Sequence, residues 1–243
     1  MIELDKIYNE DCLVGMKNIP DGTIDAVICD LPYGTTANKW DTVIPFDLLW
    51  EQYHRITKPT SPIILFGAEP FTTAVRMSNI KEYHYDWIWE KGNSVGFLHA
   101  NRRPMRIFEN IAVFYKEQPT YNPQGLIYKP KKQRRGSVGC NYHSAKSNEY
   151  ETEYENYPTD ILHFDNDSDG FHPTQKPVDL LRYLVLTYTN EGDTVLDNCI
   201  GSGTTAVACI KEKRHFIGFE LNEDYYKKAC ERIWNEQRQL KLF

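Results

Sequence analysis

Four consecutive residues, Asp30-Leu31-Pro32-Tyr33, put a carboxylate, a proline and an aromatic ring directly after the apolar run Ala26-Val27-Ile28-Cys29. A short apolar run bounded by turn residues reads as a buried strand. The trio then sits at a strand's mouth, where it suits gripping a flat, amino-bearing base. A second run of this kind, Thr194-Val195-Leu196-Asp197, opens into Asn198-Cys199-Ile200-Gly201-Ser202-Gly203-Thr204. The pattern Gly201-x-Gly203-x-x-Ala206 permits a tight turn, close approach of a ligand and close packing of helix on strand. Glu220, 19 residues after Gly201, ends the next strand pattern, where a carboxylate can accept both hydroxyls of a ribose. The two features together indicate a nucleoside site, open to nicotinamide, to flavin or to S-adenosylmethionine. In a dinucleotide oxidoreductase the glycine turn begins a long βαβ series, whereas here only about 40 residues follow it. Most strands must therefore come from the N-terminal part.

The elements that position these residues alternate between strand and helix patterns, which argues for an α/β layered domain with a mostly parallel sheet. Candidate strands are 6–9, 26–30, 61–66, 85–90, 111–115, 194–197 and 215–220. The clearest helix is 177–189, with Pro177 in the first turn and Leu181, Leu184, Val185 and Tyr188 on one face. Another starts after Asn222 as N-cap, has Glu223 and Asp224 in its first turn, and is expected to bury Tyr226, Ala229, Cys230 and Ile233. In a doubly wound sheet the strands bearing Asp30 and Asp197 can lie side by side at the switch point, opening both loops on one crevice. Residues 117–171 show poor periodicity and read as an insert rather than as part of the sheet. The organisation expected is thus 1–116, an insert at 117–171, and 172–243.

Composition bounds the reading. The chain has 243 residues and a net charge of −6, enough length for a sizeable core. No stretch approaches the roughly 20 apolar residues that span a bilayer, and the N-terminus shows no basic region followed by an apolar one, so a cytoplasmic protein with no membrane partner is expected. The six cysteines are scattered without a C-x-x-C pair, as reduced core thiols are, and no metal cluster has ligand spacing. Charge is uneven. Lys129, Lys131, Lys132, Arg134 and Arg135 crowd into seven residues, while 149–169 holds eight carboxylates and no Lys or Arg. The basic run is either a solvated loop or a contact to a nucleic-acid backbone, and the acidic stretch could screen it in the absence of DNA. Six tyrosines between 121 and 157 could stack on bases or pack on the surface.

Asp30-Leu31-Pro32-Tyr33 resembles the D-P-P-Y motif of amino-group DNA methyltransferases, and Asp197-Asn198-Cys199-Ile200-Gly201-Ser202-Gly203-Thr204-Thr205 resembles their D-P-F-x-G-S-G-T-T cofactor loop. His172-Pro173-Thr174-Gln175-Lys176-Pro177 is similar to the segment that precedes the cofactor half in the class with the catalytic motif first, often called the β class. Further matches are Asn9-Glu10-Asp11-Cys12-Leu13 and elements between Trp87 and Phe114. The resemblance covers nearly all of the chain outside the insert. Leu31 stands for a proline, Asn198 for a second proline, and Phe108 for a histidine.

The resemblance implies a Rossmann-like, doubly wound, mostly parallel seven-stranded sheet in permuted motif order with an inserted target-recognition segment. It implies methyl transfer from S-adenosyl-L-methionine to adenine N6 of a flipped-out base in double-stranded DNA, with dimerisation frequent among relatives. Asp30 and the main-chain carbonyl of Leu31 would accept the two amino hydrogens, Pro32 would stiffen the turn, and Tyr33 would stack on the base. On the cofactor side Glu220 would hold the ribose, Gly201, Gly203 and Thr204 would form the close-approach loop, and Asp197 would hold that loop or the cofactor's amino-acid end. Thr174 and Lys176 would meet the methionine carboxylate, and Asp11 with Cys12 the adenine. Arg102, Arg103 and Arg106 join the basic run as candidates for DNA contact. Cytosine N4, RNA or a protein amide as substrate, and a non-catalytic DNA-binding module, are the competing readings.

Overall fold

The computed structural model describes residues 2–34, 41–134, 149–167 and 175–240. Its strands are β1 (Lys6–Tyr8), β2 (Ala26–Cys29), β3 (Ile63–Gly67), β4 (Tyr83–Val95), β5 (Arg106–Phe114), β6 (Ile127–Arg134), β7 (Glu149–Glu155), β8 (Ile161–His163), β9 (Thr194–Asp197) and β10 (His215–Phe219). The α-helices are α1 (Cys12–Gly15), α2 (Phe46–Ile56), α3 (Phe71–Ser78), α4 (Val178–Tyr188), α5 (Thr204–Lys211) and α6 (Glu223–Leu240). Chain contacts define two compact units, one of Met1–Asn122 with Asp160–Phe243 and one of Pro123–Thr159.

The larger unit is built on one sheet in the order β1-β10-β9-β2-β3-β5-β4-β8. Its first five strands run parallel. β5 is antiparallel to both β3 and β4, and β8 pairs parallel to β4. Parallel strands are covered on both faces and therefore need apolar residues at every position. β2, β3 and β9 are buried along their whole length. Successive side chains point to opposite faces, so Ile28 joins one core with Leu181, Leu184, Val185, Ala206 and Ala229 of α4, α5 and α6. Val27 and Cys29 join the other, with Met16 beside α1 and with Leu49, Tyr53 and Val75 of α2 and α3. The sheet is thus doubly wound. β2 and β9 are neighbours, with Ala26 opposite Val195 and Val27 opposite Leu196. β2 continues to β3 on one side and β9 to β10 on the other, which makes this pair the switch point whose carboxyl ends open a crevice.

All seven expected strands are present, and the sheet has eight. β8 comes from within the stretch read as insert. Ile161-Leu162-His163 lies among carboxylates and only Leu162 is buried, which gives too short an apolar signal to read as a strand. β4 and β5 are also longer than expected, because their outer halves are exposed and carry no apolar alternation. Pro177 stands at the N-cap of α4 with extended backbone (φ −61°, ψ 137°), one position before the first turn. The Asn222 side chain caps α6 by accepting from the backbone N–H of Asp224 and Tyr225. Ala229 and Ile233 are buried as expected, and Tyr226 and Cys230 are half-buried against the same core.

The smaller unit holds β6 and β7 as an antiparallel hairpin. The basic run is a strand, and its neighbour is the acidic one. Lys129 pairs with Glu155 at 2.9 Å and Lys132 with Glu151 at 3.0 Å, both exposed, while Lys131 lies opposite Thr152. Exposed pairs of this kind contribute about 0 to 1 kcal/mol each.

Candidate active site

The crevice at the β2–β9 switch point is a cleft of about 460 Å³. Asp30, Leu31, Pro32 and Tyr33 line it from the end of β2, and Asp197 to Ser202, Thr204, Phe219 and Glu220 line it from β9, α5 and β10. Asp11, Cys12, Lys176 and Glu109 also line it. The two motifs that are distant in sequence therefore face one space.

At the β2 end the Tyr33 hydroxyl donates to Asp30 Oδ1 at 2.7 Å. The Tyr33 ring stacks on Phe71, with centroids 4.8 Å apart and planes 27° apart. The second carboxylate oxygen, Asp30 Oδ2, meets Lys176 Nζ at 2.5 Å. Lys176 also lies 3.3 Å from Glu109 Oε2 and 5.3 Å above the Phe66 ring. Glu109 Oε1 in turn accepts from Lys91 Nζ at 2.5 Å. Burial pushes the Asp30 carboxyl above the usual range, with Lys176 opposing and the Glu109 charge adding to the rise. Burial works the same way on Glu109, but Lys176 and Lys91 outweigh it and hold that carboxyl low. Burial would lower Lys176, yet Asp30 and Glu109 keep it above the ordinary lysine range.

The β9 end is held by other means. Asp197 Oδ2 accepts from the Thr205 hydroxyl at 2.6 Å and Oδ1 from the Cys199 backbone N–H at 3.1 Å. Burial still pushes its carboxyl up to about 7. Glu220 accepts from the backbone N–H of Gly201 at 2.9 Å and of Asn222 at 2.7 Å, and burial raises its carboxyl despite those bonds. Gly201 takes φ +51° and Gly203 φ +78°, left-handed conformations that a side chain would strain. A Cβ on Gly203 would meet Ala229 of α6 at 3.3 Å, and Gly203 is absent from the cleft lining. Its close approach is to α6. Asp11 caps α1 through the backbone N–H of Leu13 and Val14. Asn198, which is buried, accepts from the Tyr53 hydroxyl at 2.5 Å and turns its amide toward the Cys12 and Cys199 sulfurs at 3.7 and 3.6 Å.

Arg102 and Arg103 are exposed beyond the outer end of β4, in the turn that follows Phe97–His99. Arg106 and Lys91 line a small hollow with Tyr33 and Glu109. Lys129, Lys131, Lys132 and the backbone of Arg134 belong to the β6–β7 hairpin. Thr174 and Arg135, with His172, lie outside the described residues. Glu109 and Lys91 were not assigned roles from sequence. The available signal was a lone carboxylate at the edge of the apolar run Ile111-Ala112-Val113-Phe114, on a strand that needs no charge. Tyr53 was missed because a helix tyrosine among apolar neighbours reads as core, which it also is.

Among the described residues no helix is long and apolar enough to cross a membrane, and no group of three or more His, Cys, Asp or Glu could hold a metal ion. In sequence the chain is 29% identical to the type II methyltransferase M.HpaI of Haemophilus parainfluenzae, over 95% of this chain and 74% of that protein. It is 26% identical to the DNA adenine methyltransferase YhdJ of Escherichia coli K12, over 95% and 83%. In fold it matches the M1.HpyAVI complex with SAM (TM-score 0.64, 23% identity, 93% and 98% covered). It also matches the cytosine-N4-specific PvuII DNA methyltransferase (TM-score 0.70, 16% identity, 96% and 91% covered). Residues 24–231 match the family model described as DNA methylase, of the N6/N4 type. With both motif loops on one cleft and the match covering most of its length, the chain belongs to the N6/N4 DNA methylase family.

Proposed function

We propose that this DNA methylase transfers a methyl group from S-adenosyl-L-methionine to N6 of an adenine rotated out of duplex DNA. The observation that carries the reading is the single cleft shared by the Asp30–Tyr33 corner and the Gly201–Glu220 corner. The second corner suits the cofactor chemically, because a carboxylate oriented by two backbone N–H groups stands beside a glycine turn. Glu220 would hold the ribose hydroxyls, the Gly201–Thr204 turn would lie against the cofactor, and Asp11 and Cys12 would face its adenine. Thr174 is the candidate for its carboxylate; Lys176, which the resemblance also places there, meets Asp30 instead. The cofactor supplies a methyl group activated on a sulfonium.

The rest of the chemistry belongs to the chain. An exocyclic amine is a poor nucleophile because its lone pair is delocalised into the ring. Asp30 and the carbonyl of Leu31 would accept its two N–H bonds, which favours a pyramidal nitrogen with its lone pair turned toward the methyl group. The Asp30 carboxylate would also stabilise the positive charge that develops on that nitrogen. The Tyr33 ring, backed by Phe71, offers a flat face for the base. Adenine is favoured by Asp at position 30, by the N-terminal place of its motif and by likeness to a relative named as a DNA adenine methyltransferase. Extruding a base costs a few kcal/mol, which the exposed Arg102, Arg103 and Arg106 and the basic hairpin would offset through phosphate contacts.

The test is incubation with labelled S-adenosyl-L-methionine and unmethylated duplex DNA, followed by nucleoside mass spectrometry. N6-methyladenine is expected. N4-methylcytosine as the only product would overturn the adenine assignment, and label appearing only on RNA or protein would overturn DNA as substrate.

A further inference from the structure

Five polar side chains from four segments, the loop after β2, β4, β5 and the residues before α4, form one chain of contacts at the cleft. It runs from Tyr33 to Asp30 (2.7 Å), Asp30 to Lys176 (2.5 Å), Lys176 to Glu109 (3.3 Å) and Glu109 to Lys91 (2.5 Å). Lys176 is 8% exposed, and the side chains of Glu109 and Lys91 are each 13% exposed. Glu109 Oε2 has no hydrogen-bond partner among the described residues, so it acts on Lys176 as a charge. Two carboxylates and two ammonium groups balance, and every member of the chain except Lys91 lines the cleft.

We infer that Lys176 is a positioning residue: its ammonium, held from behind by Glu109 and Lys91, keeps the Asp30 carboxylate ionised and aimed at the target amine. The inference rests on the reading of Asp30 as the residue that grips that amine. The physical need is plain. A carboxylate taken out of water drifts toward its neutral form unless a cation stands beside it, and a protonated Asp30 would lose the charge that stabilises a developing ammonium. Among the described residues the groups facing Asp30 are Cys29 of β2, Tyr33 from its own loop, Lys176 from the segment before α4, Glu109 from β5, and Asp197 from β9. Lys176 is the one cation among them, and Lys91 reaches Asp30 only through Glu109. The like charge of Glu109 opposes ionisation of Asp30 even as it anchors the lysine.

Two substitutions should therefore move the system in opposite directions. Lys176→Met removes the cation, so the acid limb of the single-turnover rate should move up by about 1 to 3 pH units. Rates below that limb should fall about tenfold per unit, while cofactor affinity changes less than about threefold. Glu109→Gln removes the competing carboxylate, so the limb should move down. Lys176→Arg should return it most of the way, which a variant that had lost its fold would not do. Calorimetry with S-adenosyl-L-methionine supplies the contrasting measurement. A limb unmoved in Lys176→Met, or moved the same way in both variants, overturns the inference. An unmoved limb with a large loss of cofactor affinity would assign Lys176 to the methionine carboxylate instead. Carbon-13 NMR of the Asp30 carboxyl, identified by its absence in Asp30→Asn, reads the same shifts without turnover. A failure to methylate DNA would thus remain distinguishable from a failure of the lysine's role.

Discussion

The two ends of the cleft are built differently. At β9 and β10 the carboxylates of Asp197 and Glu220 are satisfied by backbone N–H groups and one hydroxyl within a few residues of the turn, and the glycine turn is packed against α6. At β2 the Asp30 carboxylate is satisfied by a tyrosine hydroxyl and by a lysine 146 residues away, with further charges behind. Backbone donors are fixed and neutral, so the first arrangement gives a rigid shape that holds a ligand the same way each time. Buried ion pairs are tunable and depend on every partner. The second arrangement suits a residue whose charge must be set for a reaction. On the proposed function, binding and chemistry would be divided accordingly between the ends.

The largest effect expected from breaking this division is at Asp30. Asp30→Ala should lower single-turnover methyl transfer by about two to three orders of magnitude, with little change in cofactor affinity. Rapid-quench assays and calorimetry on the same preparation check both halves. If cofactor affinity falls in parallel, the two ends are not separate. Glu220→Ala should do the reverse, costing roughly 1.5 to 3 kcal/mol of cofactor binding, or about one to two orders of magnitude in Kd. Its rate at saturating cofactor should stay close to that of the wild type.

Smaller effects test what holds the cofactor loop. Asn198→Ala should leave the Tyr53 hydroxyl buried without its acceptor and destabilise the fold by about 1 to 3 kcal/mol in urea unfolding. Restoring the family's residue, Asn198→Pro, should not rescue this loss unless Tyr53→Phe is added. Asp197 sharpens the comparison through pH. Its folded-state value of about 7 lies above the unfolded range near 4, so between those pH values the folded state keeps a proton that the unfolded state has lost. Its contribution to stability therefore falls as pH rises from about 4 to about 7. Asp197→Asn should remove that slope, an effect on the order of a few kcal/mol across the window, visible as a shallower decline of Tm over that range. A steeper decline in the variant would contradict the assignment.

The parts of the fold visible in sequence are those whose signal is local. β2, β3, β9 and β10 are runs of consecutive buried residues, α4 and α6 carry apolar faces, and Asn222 is a cap that functions where it was expected. β8 and the β6–β7 hairpin escaped because paired charges and exposed faces replace apolar alternation there. The same limit governs the site. Asp30, Gly201 and Glu220 sit at ends of legible strands, so their meeting followed from sheet order. Glu109 and Lys91 matter only because β4, β5 and the segment before α4 converge, and nothing in the residues flanking either one encodes that convergence.

The pairing of β2 with β9 also sets a timetable. On a ribosome the strand that leads to Asp30 is made well before β9, and β3 can join it within a few tens of residues, but its other neighbour is not yet synthesised. At the usual 5 to 20 residues per second, β2 waits on the order of ten seconds for β9. Until then one flank of the strand has no partner, and the cleft has one wall. A chain truncated before β9 is accordingly left with an open, apolar strand edge on β2.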